Sequence, residues 1–197
     1  MSTKLPSLMP EGLHLYYDFV TDAEEMQLIT AIDSQEWAGN GSGPNPELLR
    51  RTQQYGYLFS YRYRKILEEI GPLPDFFSFL LARIKERRII SEENMPNSLI
   101  VNEYLVGQGI MPHIDAPSIF GEFILALSLL TPCVMRFQSV EDEECIDILL
   151  PPRSLLVMSG KARYKYKHSI SKNAIDYIDE QAIERGRRVS LTMRRIL

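Results

Sequence analysis

Cysteine is scarce in this sequence: Cys133 and Cys145 are the only two in 197 residues. They are too few and too unpatterned for a disulfide framework or a zinc ribbon, so a reducing, intracellular environment is expected. Long apolar runs are missing as well. The most hydrophobic stretch, residues 123–134, is shorter than the roughly 20 residues a membrane-spanning helix needs, and it contains Thr131-Pro132. The opening MSTKLPSLMPEG has no apolar segment of signal-peptide type. These absences point to the cytoplasm and/or nucleus, with no membrane association. An excess of positive charge is absent too: the net charge is −4, which excludes a wholly basic nucleic-acid coat but leaves room for a local basic cleft. No internal repeat and no low-complexity tract is found. Histidine is sparse, with only His14, His113 and His168.

What is present reads as one globular domain spanning residues 1–197, expected to be a monomer. A 45% hydrophobic share is enough to build a sizeable core at this length. Residues 13–20 form an aromatic-rich apolar run, expected as an opening strand with His14 partly exposed. Thr21-Asp22-Ala23-Glu24 is a capping box, so a helix should begin near residue 22, with Met26, Ile29 and Ile32, and Leu28 nearby, as its buried stripe. Residues 39–46 (GNGSGPNP) read as a loop. A second helix is expected from Asp75 to about Arg88, with Phe76, Phe77, Leu80, Leu81 and Ile84 facing the core and its late cations in solvent. From Ser98 onward the pattern changes to short strands: 98–105, 123–130, 134–138, 146–150, 154–158, 164–170 and 187–196. Residues 174–186 are expected as a short helix or a loop. Helices followed by a run of strands predict an α+β fold with a double-sheet, jelly-roll β core.

The chemistry concentrates in residues 101–115, VNEYLVGQGIMPHID. Side chains two apart on a strand share a face, so Asn102 and Tyr104 point one way while Val101, Glu103 and Leu105 point the other. His113 and Asp115 leave one face side by side, the spacing for two adjacent coordination positions. A third ligand would complete the two-histidine, one-carboxylate triad that holds non-haem Fe(II) with positions left open. His168, after the extended run 164–167, is well placed for it. Residues 187–197, RRVSLTMRRIL, alternate: Val189, Leu191 and Met193 face the core, and Arg188, Ser190, Thr192 and Arg194 share the opposite side. Two arginines on a central strand are costly inside a barrel unless anions meet them. Their Cα atoms would lie roughly 20 Å apart at about 3.3 Å per residue. Arg188 is the better clamp for a terminal carboxylate, through its two-pronged guanidinium.

Asn102-x-Tyr104, His113-x-Asp115, His168 and Arg188-x5-Arg194 together resemble the AlkB family of Fe(II)- and 2-oxoglutarate-dependent dioxygenases. The resemblance runs from about residue 50 to the end. GQGIMPHID, PPRSLLVMSGKARYKYKHSI and RRVSLTMRR look especially like the branch that includes the eukaryotic tRNA wobble-uridine hydroxylase. There the oxygenase is flanked by an RNA-recognition motif and a methyltransferase domain, and this sequence has room for neither. The resemblance implies a double-stranded β-helix with N-terminal helices packed on one sheet. It implies that His113, Asp115 and His168 hold Fe(II), that Asn102, Tyr104, Arg188, Ser190 and Arg194 surround 2-oxoglutarate, and that O2 is the oxidant. Arg188 would take the distal carboxylate and Arg194 would lie nearer the metal end.

The resemblance also implies a nucleotide-recognition lid ahead of the core, where residues 50–65 (RRTQQYGYLFSYRYRK) carry five cations and five aromatics. Arg51 and Arg62 are expected to meet phosphates, and Tyr55 and Tyr57 to stack on an unpaired base. Arg163, in the basic run Lys161, Arg163, Lys165 and Lys167, is a further substrate candidate. The expected partner is nucleic acid, RNA over DNA, with room for an accessory protein subunit. The expected reaction is hydroxylation or oxidative demethylation of a modified nucleotide. A protein or small-molecule hydroxylase on the same scaffold is the alternative enzyme, and a silent binding module the alternative of another class.

Overall fold

The computed structural model of the protein describes residues 9–197. Most of the amino-terminal segment read above for targeting signals lies outside the described residues. In chain order the first half carries β1 (Leu13–Tyr16), α1 (Asp22–Asp33), β2 (Thr52–Tyr55), β3 (Tyr57–Ser60), β4 (Lys65–Glu69) and α2 (Ser78–Glu86). The second half carries β5 (Ser98–Tyr104), β6 (Ile110–His113), β7 (Phe120–Leu129), β8 (Cys133–Ser139), β9 (Cys145–Leu150) and β10 (Ser154–Met158). It ends with α3 (Gly160–Tyr164), β11 (Tyr166–Ile170), β12 (Ile175–Ile178), β13 (Gln181–Glu184) and β14 (Arg188–Ile196).

Six strands form a large antiparallel sheet in the order β1-β10-β7-β14-β5-β2, and four form a smaller one in the order β6-β11-β8-β9. Alternation along each central strand divides the core in two. In β14, Val189, Leu191 and Met193 join Leu99, Val101, Leu125 and Leu127 on the outer face of the large sheet. There they pack against Leu28 and Ile32 of α1 and Leu80 and Ile84 of α2. The inner face presents Ile100, Ile124, Ala126 and Leu156 to Met135, Phe137 and Ile148 of the small sheet. The fold is the expected α+β jelly roll, with the amino-terminal helices on one sheet.

Local chemistry explains most boundaries. The Thr21 side chain accepts from the Glu24 amide while Glu24 Oε2 accepts from the Thr21 amide, so the capping box forms as read. Leu28 and Ile32 are buried, but Met26 is 69% exposed and Glu25 takes an inward position instead. Glu25 Oε1 accepts from the Leu130 amide across the core edge, which satisfies a carboxylate where a methionine was expected. The second helix starts as a 3-10 turn at Asp75–Phe77 and ends at Glu86. Its Arg83 is not simply solvated: it donates to Glu24 and to the Phe19 carbonyl.

Three segments depart from expectation. The opening strand stops at Tyr16 rather than Val20. The run 164–170 is broken, with α3 ending at Tyr164 and the strand starting at Tyr166. Residues 174–186, expected as helix or loop, contain the β12–β13 hairpin. Asp176 anchors that hairpin by accepting from the Val134 amide, the Ser171 hydroxyl and Arg185, none of which a local pattern reveals.

Candidate active site

The two histidine-bearing strands are paired. His113 of β6 lies directly across from His168 of β11, and their ring centroids are 4.3 Å apart. Gly109 permits this approach, because a side chain there would run into the Ile170 and Ser171 carbonyl oxygens. Asp115 follows two residues after His113, with Oδ1 3.5 Å from His113 Nε2. Ligand atoms of His113, Asp115 and His168 all fall within 4.8 Å of one another. That is the span of donors around one ion.

Each donor is held in a ligating state. His113 Nδ1 lies 2.9 Å from the Met111 carbonyl, an acceptor only, so the ring proton sits on Nδ1 and Nε2 keeps its lone pair. Burial pushes the His168 imidazole down to about 3, leaving it neutral. Burial would raise the Asp115 carboxyl, but the Arg194 guanidinium beside it outweighs that and holds it well below the usual range. Arg194 Nε donates to Asp115 Oδ2 at 2.9 Å, so Oδ1 is the oxygen left for a metal.

From the triad a cavity of about 510 Å³ runs between the two sheets. Its wall on the large sheet follows the register of β14 against β5, where Arg188 faces Tyr104 and Ser190 faces Asn102. The far end therefore holds Arg188 and Tyr104, the middle Ser190 and Asn102, and the metal end Arg194. Arg188 is 1% exposed. Its Nη2 donates to Ser128 Oγ at 2.7 Å, while Nε and Nη1 have no partner among the described residues. Arg194 Nη1 is likewise unpartnered. A buried guanidinium without a carboxylate is costly, commonly by several kcal/mol. A carboxylate of 2-oxoglutarate at Arg188 would relieve that cost. The donor set and the orphaned guanidinium atoms fit Fe(II) and a small dicarboxylate.

The substrate candidates divide differently from expectation. Thr52 pairs with Asn102, so the even residues of β2 share the cavity face and the odd ones face the helices. Arg51 is thereby turned away: it donates through two nitrogens to Glu103 and lies over the Trp37 ring. Tyr55 packs edge-on against Phe76. Tyr57 sits opposite Glu69 in the β3–β4 hairpin and does not line the cavity. Arg163 is 2% exposed, and its guanidinium donates to the carbonyls of Asp115, Phe120 and Gly121, so it braces the Asp115 loop instead of meeting substrate. Lys161 and Lys165 are paired with Glu11 and Glu141. The aromatic run is cut at Gly56, whose φ of 81° turns the chain between two different sheets. Of these candidates Arg62 alone lies on the exposed turn between β3 and β4, beside Tyr63.

In their place the cavity takes Arg50 and Tyr61 from the same segment, with Arg64 and Lys172 at its rim. Asn45 fixes Tyr61 by accepting from its amide and donating to the Phe59 carbonyl. Burial raises the Tyr61 phenol, keeping it protonated. Parity would have separated Arg50 from Arg51, had the pairing of β2 with β5 been known. Ser128 carries no sequence signal at all.

Comparison with known proteins agrees with this geometry. The family described as the 2OG-Fe(II) oxygenase superfamily matches residues 12–194. The chain belongs to the 2OG-Fe(II) oxygenase superfamily. Fe(II), 2-oxoglutarate and O2 are accordingly its cofactor, co-substrate and oxidant. This oxygenase is AlkB-like: it is 38% identical to the alkylated DNA repair protein ALKBH8 homolog of Arabidopsis thaliana, over 94% of this chain and 58% of that protein. It is 36% identical to the tRNA (carboxymethyluridine(34)-5-O)-methyltransferase alkbh8 of Xenopus tropicalis, over 88% of this chain and 27% of that protein. It is 29% identical to a DNA N6-methyl adenine demethylase of Caenorhabditis elegans, over 95% of this chain and 61% of that protein. The oxygenase thus spans less than two thirds of each of these relatives. The solved structure of OsALKBH1 superimposes with a TM-score of 0.66 at 16% identity, covering 96% of this chain and 100% of that one, which is a likeness of fold.

Proposed function

We propose that this chain is the oxygenase unit of an enzyme that hydroxylates or oxidatively demethylates a modified nucleotide, in RNA rather than DNA. The observation that carries the reading is the triad set beside the unsatisfied guanidinium nitrogens of Arg188 and Arg194, in one cavity that opens next to a basic, aromatic turn. His113 Nε2, His168 and Asp115 Oδ1 would hold Fe(II), and Arg188 with Tyr104 would take the distal carboxylate of 2-oxoglutarate. Bound together with O2, these groups supply an oxidant that inserts hydroxyl into a C–H bond while 2-oxoglutarate becomes succinate and CO2. The chain's own part is orientation and exclusion of water. Ile100, Phe120, Ile124 and Ala126 line the cavity with apolar surface. A hydroxylated N-methyl group leaves as formaldehyde, whereas a hydroxylated carbon substituent stays.

Nucleic acid as the substrate class is supported by the relatives' names and by the turn between β3 and β4. Arg62 and Lys65 lie over the exposed Tyr63 ring, and Arg64 and Lys172 line the cavity mouth. Cations around an exposed ring suit a phosphate backbone next to an unpaired base. The test is mass spectrometry of tRNA and mRNA nucleosides incubated with the protein, Fe(II) and 2-oxoglutarate. Loss of one modified nucleoside with stoichiometric succinate is expected. Succinate formation stimulated by peptides and by no RNA would instead favour the protein-hydroxylase reading.

A further inference from the structure

We propose that Arg50 is a positioning residue for 2-oxoglutarate, acting by fixing which way the Asn102 side-chain amide faces. This rests on the reading of the cavity as the 2-oxoglutarate site. Arg50 is 8% exposed, and its Nε lies 2.9 Å from Asn102 Oδ1. A guanidinium N–H can only donate, so the asparagine atom facing it must be the carbonyl oxygen. The amide nitrogen is thereby turned to the other side. Asn102 faces Ser190 across the strand pair, two residues from Arg188 toward the metal end, and both line the cavity. With Arg50 in place Asn102 offers N–H donors there, which an anionic or keto oxygen accepts. Without Arg50 the amide is free to rotate and present its oxygen, which repels a carboxylate.

Arg50 is itself locked. Its guanidinium lies 5.4 Å from the Tyr61 ring centroid and 5.6 Å from that of Tyr104, between two aromatic faces. The neighbouring Leu49 carbonyl accepts from Gln108 Nε2, which ties this segment to the loop that leads into the His113 strand. Arg50 thus joins the segment covering the cavity to the co-substrate wall without needing to touch 2-oxoglutarate.

The test is 2-oxoglutarate affinity, measured by calorimetry on the Mn(II)-loaded protein, for Arg50→Met, Arg50→Lys, Asn102→Ala, Asn102→Asp and the Arg50→Met/Asn102→Ala pair. Arg50→Met should weaken binding about three- to tenfold, the size of one net hydrogen bond, and have little further effect once Asn102 is alanine. Asn102→Asp keeps the Arg50 contact but replaces the donor with a carboxylate oxygen, so it should weaken binding at least as much as alanine does. Arg50→Lys keeps the charge without the Nε–H and should resemble Arg50→Met, which keeps the test open if the methionine variant folds poorly. An undiminished Arg50→Met effect in the Asn102→Ala background, or no effect in the wild-type background, overturns the proposal. Absence of 2-oxoglutarate binding by the wild-type protein overturns the site reading instead.

Discussion

Arg188 carries a full charge in the core with one hydroxyl as its partner. Replacing it with lysine keeps the charge but loses the planar fork, so 2-oxoglutarate affinity should fall by about tenfold or more while metal binding persists. Calorimetry with Mn(II) present checks both at once. His168→Ala should instead abolish stoichiometric metal uptake, read by metal analysis after desalting. Full occupancy in that variant would remove His168 from the ligand set. Glu103 is the opposite case, a buried carboxylate answered twice, by Arg51 and by Arg187. Burial alone would raise its carboxyl, but the two arginine contacts win and lower it below the ordinary carboxylate value. A lowered folded-state value means that the contribution to stability is complete above the unfolded carboxylate value, near 4.5, and fades as pH falls through the folded one. Glu103→Gln should therefore lower stability at neutral pH, by about 1–3 kcal/mol, and flatten its acid dependence. Denaturant melts at pH 7 and pH 4 measure both effects.

At the scale of elements, the segment from β2 to β4 does two jobs that its sequence runs together. β2 belongs to the large sheet, with Arg51 just before it bonded to Glu103 of β5 and Tyr55 packed on Phe76, whereas the turn after β3 carries the exposed cations. The consequences of mutation should separate accordingly. Neutralising Arg62, Arg64 and Lys65 together should weaken RNA binding and flatten its salt dependence, with a slope reduced by up to about two to three units. Arg51→Ala and Tyr55→Ala should lower the thermal midpoint and leave the salt slope alone. RNA binding across a salt series, paired with thermal melts, distinguishes the two groups. Equal salt slopes in wild type and the triple variant would leave the turn without a role in binding phosphate.

For the whole molecule, ligands that bind only the folded state must raise its stability. By the proposed assignment Mn(II) and 2-oxoglutarate would engage residues from β5, β6, β11 and β14, strands of both sheets, so saturation should tighten the sandwich as a unit. At about 100 times the dissociation constant the gain is about 2.7 kcal/mol, which in a chain of this size moves the midpoint by roughly 5–10 °C. Differential scanning fluorimetry with and without both ligands tests this, and His168→Ala should lose most of the shift.

Much of the site is legible in one dimension because the chemistry follows the two-residue period of a strand. Asn102 and Tyr104, and the series Arg188, Ser190, Thr192 and Arg194, each share a face by local geometry alone, whatever the strand pairs with; Asp115 lies just past the end of β6 and meets His113 as the chain leaves the strand. The capping box at Thr21 and the apolar stripe of α2 are local in the same sense. What tertiary structure decided is which face of a strand is which. Arginines 50 and 51 lead directly into β2, and only its register against β5, with Thr52 opposite Asn102, sends Arg50 inward and Arg51 outward. Arg163 reads as a surface cation until Asp115 and the first two residues of β7 supply it with three carbonyls. The β12–β13 hairpin exists because Asp176 and Arg185 find each other and the Val134 amide, an interaction between distant parts of the chain. Alternation is a property of the backbone and can be read from sequence; register and burial belong to pairs of segments, and they appear only when the chain has closed on itself.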